Sequence, residues 1–186
     1  RRDIFLATGL KLIAMPLIAW AVAEFVFGLS AQEVLIVVVL AALTTAQLSN
    51  LGSDDLNALS SSQFSALSST QVASLTSDQI GTLQSDDVRA ISSAGLRAWS
   101  TDQLAALSET NMGALTTAQV ASLTTAQVSS LVTDDLNALG TAQFAALTTA
   151  QVTSLTGAQV GGLVSDDLRA MTTAQFGAMS SVQIGG

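Results

Sequence analysis

Residues 115–130 read LTTAQVASLTTAQVSS, two near-identical octads, and residues 147–154 give a third, LTTAQVTS. With the Leu as position 1, the same eight-residue frame runs outward in both directions without a break, from Leu43 to Gly186, in eighteen copies. Position 1 is Leu in fourteen copies and Ile91, Trp99, Met171 or Met179 in the others. Position 6 is apolar in all eighteen. Position 3 is Ser or Thr except at Glu109 and Gly157, and position 8 is Ala, Ser, Gly or Thr except at Asn50.

One continuous helix does not fit this frame. A period of eight gives four residues per turn where an α-helix has about 3.6, so the apolar stripe would drift off any one face. A straight strand does not fit either, because positions 1 and 6 have opposite parity and would point to opposite faces. A short helix in each octad does fit. Position 6 and the next position 1 are three residues apart, on one helical face. Position 2 with position 5 spells [ST]-x-x-Q, the capping box, in which the hydroxyl accepts from the position 5 amide and the Gln reaches back to the position 2 amide. Twelve copies have Gln at position 5, and eleven of these have Ser or Thr at position 2, Gly140 being the exception. Four copies have Asp instead (Asp55, Asp87, Asp135, Asp167), and their position 2 is Gly52, Gln84, Val132 or Val164. There the helix start is expected one residue later, with Ser53, Ser85, Thr133 and Ser165 as N-caps and a pair of acids in the first turn.

A lone octad buries two apolar side chains while ordering eight backbones, so it does not fold by itself; neighbours must share the burial. The fold expected is therefore all-α: an α-solenoid of very short capped helices, one per repeat, about six residues and ~9 Å each, preceded by a hydrophobic helical segment. The competing architecture is a β-solenoid with two octads per coil, bent so that positions 1 and 6 both face inward. The Asp-Asp octads begin at 51, 83, 131 and 163, and residues 51–98 match 131–178 at 26 of 48 positions. These spacings are multiples of 16, which suggests two octads as the structural unit. The small residues at positions 4 and 8 are expected to let helices approach closely. The Gly-rich stretch 157–162 and Gly185–Gly186 are expected softer spots.

Octads of the form L-[ST]-[ST]-A-Q-[VIF]-x-[AS] resemble tandem arrays of large bacterial surface and secreted proteins. The resemblance covers 43–186 and implies an extracellular structural or adhesive role.

Residues 1–42 are of another kind. The run 4–29, IFLATGLKLIAMPLIAWAVAEFVFGL, is long enough to cross a bilayer of about 30 Å as a helix. Lys11 within it is read as snorkelling toward Arg1 and Arg2. A second apolar run, Val34 to Leu43, is too short to span. KLIAMPLIAW and EVLIVVVLAAL resemble a fragment of a transporter of the auxin efflux carrier family. That resemblance implies membrane ancestry, and it stops where the octads begin. The domains expected are thus a transmembrane-like segment 1–42 and the array 43–186.

The chain has no Cys, no His, no Tyr and one Lys. It therefore has no disulfide framework or thiolate site, and it lacks the usual general base and the commonest metal ligand. Charges balance within 1–42, and the repeats hold the whole net charge of −8. An acidic surface repels phosphate backbones, so no nucleic-acid partner is expected. The Asp-Asp pairs lack the D-x-D-x-D-G spacing of a calcium loop and read as acids at helix starts. Phe64, Trp99, Phe144 and Phe176 occupy core positions, and Arg89, Arg97 and Arg169 all fall at position 7, the presumed solvent face. No catalytic, cofactor-binding or metal-ligating residue is assigned, and neither an enzyme nor a small-molecule substrate is expected. The function expected is a self-assembling extracellular filament or sheath subunit, self-associating through solenoid ends or faces, since octad 179–186 has the pattern of the rest. The alternative is a membrane-tethered spacer or adhesin arm on a bacterial surface, with membrane contact through 4–29.

Overall fold

The computed structural model describes residue 40 and residues 42–185. The apolar run 4–29 and the proposed fragment of a transporter lie outside the described residues, apart from the last few residues of the latter. Among the described residues no helix is long and apolar enough to cross a membrane. Two compact units divide the chain, 1–44 and 45–186, and the second holds the octad helices.

Every octad of the second unit forms one helix of four to six residues, eighteen in all, with no strand among the described residues. The first six are α1 (Thr45–Ser49), α2 (Ser53–Asn57), α3 (Ser61–Ser65), α4 (Ser69–Ala73), α5 (Ser77–Gly81) and α6 (Ser85–Ala90). Then come α7 (Ser93–Arg97), α8 (Thr101–Leu104), α9 (Glu109–Ala114), α10 (Thr117–Ser122), α11 (Thr125–Ser130) and α12 (Thr133–Asn137). The last are α13 (Thr141–Ala145), α14 (Thr149–Ser154), α15 (Gly157–Gly161), α16 (Ser165–Ala170), α17 (Thr173–Ala178) and α18 (Ser181–Ile184). This is the α-solenoid, and the β-solenoid alternative is ruled out for these residues. The Gly-rich stretch 157–162 carries α15 like any other octad.

Where position 5 is Gln and position 2 is Ser or Thr, as in α5, the capping box fixes the start. At α5, Gln79 N donates to Thr76 Oγ1 at 3.2 Å, and Thr76 N donates to Gln79 Oε1 at 2.9 Å. Thr76 itself is extended, with φ −77° and ψ 158°, so the box also sets the angle at which the chain enters the helix. The same pair of bonds recurs at α10, α11, α14, α15 and α17.

Packing joins helices three apart: α1 with α4, α2 with α5, α3 with α6, and so along the array to α15 with α18. A coil is therefore three octads, twenty-four residues, and not the two suggested by the spacing of the Asp-Asp units. Three columns of stacked helices surround one core. From Leu48 to Phe144, the position 6 side chains are all at most 1% exposed, and position 1 from Leu67 onward closes the core beside them. Position 4 is exposed in all eighteen octads, so it plays no part in close approach. That part falls to position 8, as expected, where a Cβ on Gly162 would stand 2.6 Å from Thr133 Cγ2 in the octad three back, and also to position 7. A Cβ on Gly113 would stand 2.7 Å from Ala138 O, in the octad three further on.

Candidate functional site

The side chain that joins one coil to the next is the position 5 Gln. It is the third residue of its helix and is almost wholly buried; Gln119, Gln127, Gln151 and Gln175 are each 2% exposed. Its Oε1 accepts the N-cap amide of its own helix. Its Nε2 donates downward, across the coil boundary. Gln127 Nε2 reaches Leu96 O and Trp99 O, both at 2.9 Å. Gln151 bonds Val120 O at 2.9 Å and Leu123 O at 2.8 Å, and Gln183 bonds Val152 O at 2.9 Å and Leu155 O at 2.8 Å. In these three the acceptors are the position 6 carbonyl of one octad and the position 1 carbonyl of the next. The position 6 carbonyl already accepts the next position 1 amide, Leu96 O from Trp99 N at 3.2 Å, whereas the position 1 carbonyl receives no backbone N–H among the described residues. One Gln therefore satisfies the start of its own helix and a position 1 carbonyl of the preceding coil, and adds a second bond to the position 6 carbonyl.

This second role is not foreseen from the sequence, though the octads carry a mark of it. A capping box accepts Glu as readily as Gln, yet no octad has Glu at position 5. Only the amide supplies a donor for the two carbonyls.

Octads without Gln show what the position demands. Asn111 is one methylene shorter and reaches a single carbonyl, Leu83 O, at 2.7 Å. Gly95 has no side chain, and a Cβ there would lie 3.1 Å from Val72 Cγ1. In the next octad the buried Trp99 indole N–H donates to Val72 O at 2.9 Å, the position 6 carbonyl opposite Gln103. Gln103, which would otherwise hold Val72 O, bonds Ala73 O and Leu75 O instead. Trp99 is thus a core residue and also an inter-coil donor. Trp99→Phe is expected to keep most of the packing and to leave Val72 O with only the 3.3 Å bond from Leu75 N, lowering stability by about 1 kcal/mol. Urea unfolding followed by far-UV circular dichroism measures it.

The Asp octads form a second variation, and here the sequence expectation is corrected. Their helices begin at Ser53, Ser85, Thr133 and Ser165, with Gly52, Gln84, Val132 and Val164 as N-caps, in the same register as every other octad. The start is not shifted. Asp87 and Asp135 replace the Gln oxygen and accept from the backbone at Gln84 and Val132. They cannot replace the amide donor.

A donor appears instead at position 7. Asn57 Nδ2 bonds Thr82 O at 2.8 Å, Arg89 Nε bonds Ala114 O at 3.2 Å and Asn137 Nδ2 bonds Gly162 O at 3.1 Å. Each points forward to the position 8 carbonyl three octads on. Asn or Arg occurs at position 7 only in octads that lack Gln at position 5. Arg89 therefore faces the next coil as well as solvent, and it also holds Asp86 in an exposed pair at 3.1 Å. Asn137 Oδ1 further accepts from Val164 N at 3.1 Å, which ties one Asp octad to the next. At the other pair of the same spacing, octads 51 and 83, the corresponding Asn57 Oδ1 is buried without a partner among the described residues.

In three of the four pairs the two acids have separate fates, whereas Asp54 and Asp55 are both exposed. Asp54, Asp86, Asp134 and Asp166 are exposed in the first turn, where they suit the helix dipole. Asp87, Asp135 and Asp167 are 4%, 7% and 2% exposed. Burial raises all three above the ordinary carboxylate range. Asp86 adds to the effect at Asp87, Glu109 and Asp134 at Asp135, and Asp166 at Asp167, while the Gln84 and Val132 amides work against it at the first two. Among the described residues no three acidic side chains come together in a way that would hold a metal ion. Phe64, Trp99 and Phe144 fill the core as expected, whereas Phe176 is 43% exposed, since α17 has no helix stacked beyond it within these residues.

No curated protein and no solved structure matches the chain. The description ALTTAQ repeat matches at residues 40–69, 49–85, 80–117 and 128–165. No match falls on residues 1–39, and the resemblance of 1–42 to auxin efflux carriers finds no support. The four matched stretches together cover more than half of the sequence, and the chain belongs to the ALTTAQ repeat family.

Proposed function

We propose that this repeat protein acts as an extracellular structural element, a filament or sheath subunit that associates through the ends of its solenoid, with no enzymatic role. One observation carries the reading: the bond between coils recurs with the octad. A Gln amide of one coil meets the position 6 and position 1 carbonyls of the coil before it, and the same geometry returns along the array. Any coil is therefore complementary to any other, in the same chain or in a second copy. The last described coil offers apolar surface in keeping with this, Phe176 at 43% exposed and Ile184 at 63%. The buried Gln side chains that would otherwise be candidates for chemistry are engaged in this bonding.

Electron microscopy of residues 43–186, beside the full chain, tests the proposal. Fibres with an axial repeat of one three-octad coil are expected. Separate rods of fixed length at high concentration would overturn self-assembly and favour the second reading, a membrane-tethered spacer or adhesin arm. That reading is supported by the apolar run 4–29 in the sequence.

A further inference from the structure

At three places the ladder sets an acceptor opposite an acceptor. In the frame of the Gln bonds, the carbonyls facing Asp87, Asp135 and Asp167 are the position 1 carbonyls 28 residues back, Leu59 O, Leu107 O and Leu139 O. No hydrogen bond reaches any of these three oxygens among the described residues. On the other side, Asp87 Oδ2 and Asp167 Oδ2 are buried and have no partner. Buried carbonyl and carboxylate oxygens left facing each other without a hydrogen are costly.

The molecule shows what the gap accepts. Asn111 has the length of Asp, stands at the same position of its octad, and its Nδ2 reaches Leu83 O directly at 2.7 Å. A side chain of this length spans the boundary with nothing in between. A carboxylic acid is the near-isostere of that amide, with O–H in place of N–H.

We propose that Asp87, Asp135 and Asp167 are proton-operated clasps between coils: each takes a proton from solvent, and the neutral acid donates its O–H to Leu59, Leu107 or Leu139 O of the preceding coil. Ionisation returns the proton to solvent and opens the clasp. At Asp87 and Asp135 the remaining carboxyl oxygen keeps its acceptor role toward the backbone at Gln84 and Val132.

The charged surroundings favour the neutral form. Asp87 has Asp86 and Arg89 on its own helix, no ionisable group on α3, and Glu109 on α9. Asp135 has Asp134 on its own helix and Glu109 on α9. Asp167 has Asp166 and Arg169 on its own helix and no ionisable group on α13. The two arginines are paired with the exposed acids Asp86 and Asp166. A carboxyl whose folded value is raised gives its stability in full below the unfolded value, and that stability is lost as pH rises through the folded value. The array is thus tighter in acid and looser at neutrality.

The test is thermal unfolding of the full chain by circular dichroism between about pH 4 and about pH 7, with the wild type beside D87N/D135N/D167N. The wild type is expected to lose Tm as pH rises. The Asn variant, a permanent copy of the closed clasp, is expected to be flat over that range. At neutral pH it should melt about 2–4 °C higher per clasp. A charge-matched variant at exposed first-turn acids, D54N/D78N/D102N, should leave the pH slope in place. A wild-type Tm that is flat or rises with pH overturns the proposal without reference to any variant. An Asn variant melting at or below the wild type at neutral pH overturns it also, as does an equal gain from the exposed triple, which would assign the effect to general charge repulsion.

Discussion

Replacing Gln127 by Ala is expected to lower stability by about 2–4 kcal/mol, a large loss for a single polar side chain. Gln127 is 2% exposed and holds three backbone groups: Thr124 N at 2.8 Å, and Leu96 O and Trp99 O at 2.9 Å. Truncation leaves Thr124 N and Trp99 O without a partner, at ~1–3 kcal/mol each less what an entering water recovers, while Leu96 O keeps the 3.2 Å bond from Trp99 N. The loss is also placed where it spreads. α11 has α8 below it and α14 above, so opening this contact separates coils on both sides. In a solenoid whose stability is a sum of units and interfaces, a weakened interior interface divides the array into two shorter ones. Urea unfolding measures the loss, and hydrogen exchange at the Thr124 amide locates it. Gln127→Glu separates donor from shape. It keeps the acceptor oxygen and the length, but at neutral pH it sets a carboxylate against two carbonyl oxygens. Its loss should exceed that of Ala at neutral pH and shrink in acid, where a protonated Glu regains a donor. If Glu and Ala behave alike at every pH, the downward bond contributes nothing and the Gln serves only its own helix.

The same residue shows how far the sequence can be read. The octad frame, the all-helical fold and the capping box are local: each depends on residues within one unit, and each is legible from the spacing of Leu43, Gln47 and their counterparts. The number of octads per coil is not local. It depends on how three short legs close on one another, and the Asp-Asp spacing points to two only when it is taken for a repeat length. Packing instead joins helices three octads apart, and Asn137 Oδ1 meets Val164 N 27 residues on. The expected shift of the helix start in the Asp octads fails for a related reason. A Ser followed by two acids is a good N-cap by itself, but the register is held by positions 1 and 6 in the core. Gly52, Gln84, Val132 and Val164 accordingly sit at the N-cap with no side-chain bond to offer. The absence of Glu at position 5 is visible in the octads alone, and its meaning needs the second coil.

Phe144→Ala and Phe176→Ala are expected to differ several-fold in effect, although the two residues hold the same position of octads that read almost alike, LGTAQFAA and MTTAQFGA. Phe144 is 0% exposed, with α10 on one side of its helix and α16 on the other. Removing its ring leaves a cavity lined by side chains that are themselves anchored through the Gln ladder, so collapse is restricted. The loss expected is about 3–5 kcal/mol. Phe176 is 43% exposed because α17 has α14 on one side and no described helix on the other. Its ring lies partly in water, its removal leaves an open notch instead of a void, and the loss expected is ~1 kcal/mol or less. Chemical denaturation of the two variants compares them directly. The contrast also bears on assembly. If chains stack end to end and a second copy covers α17, Phe176 becomes an interior residue, and Phe176→Ala should then cost nearly as much as Phe144→Ala under conditions where fibres form, with the difference returning on dilution. Equal and small effects at both sites would mean that position 6 does not carry the core. A large effect at Phe144 together with a small one at Phe176 at every concentration would mean that the end of this solenoid stays uncovered.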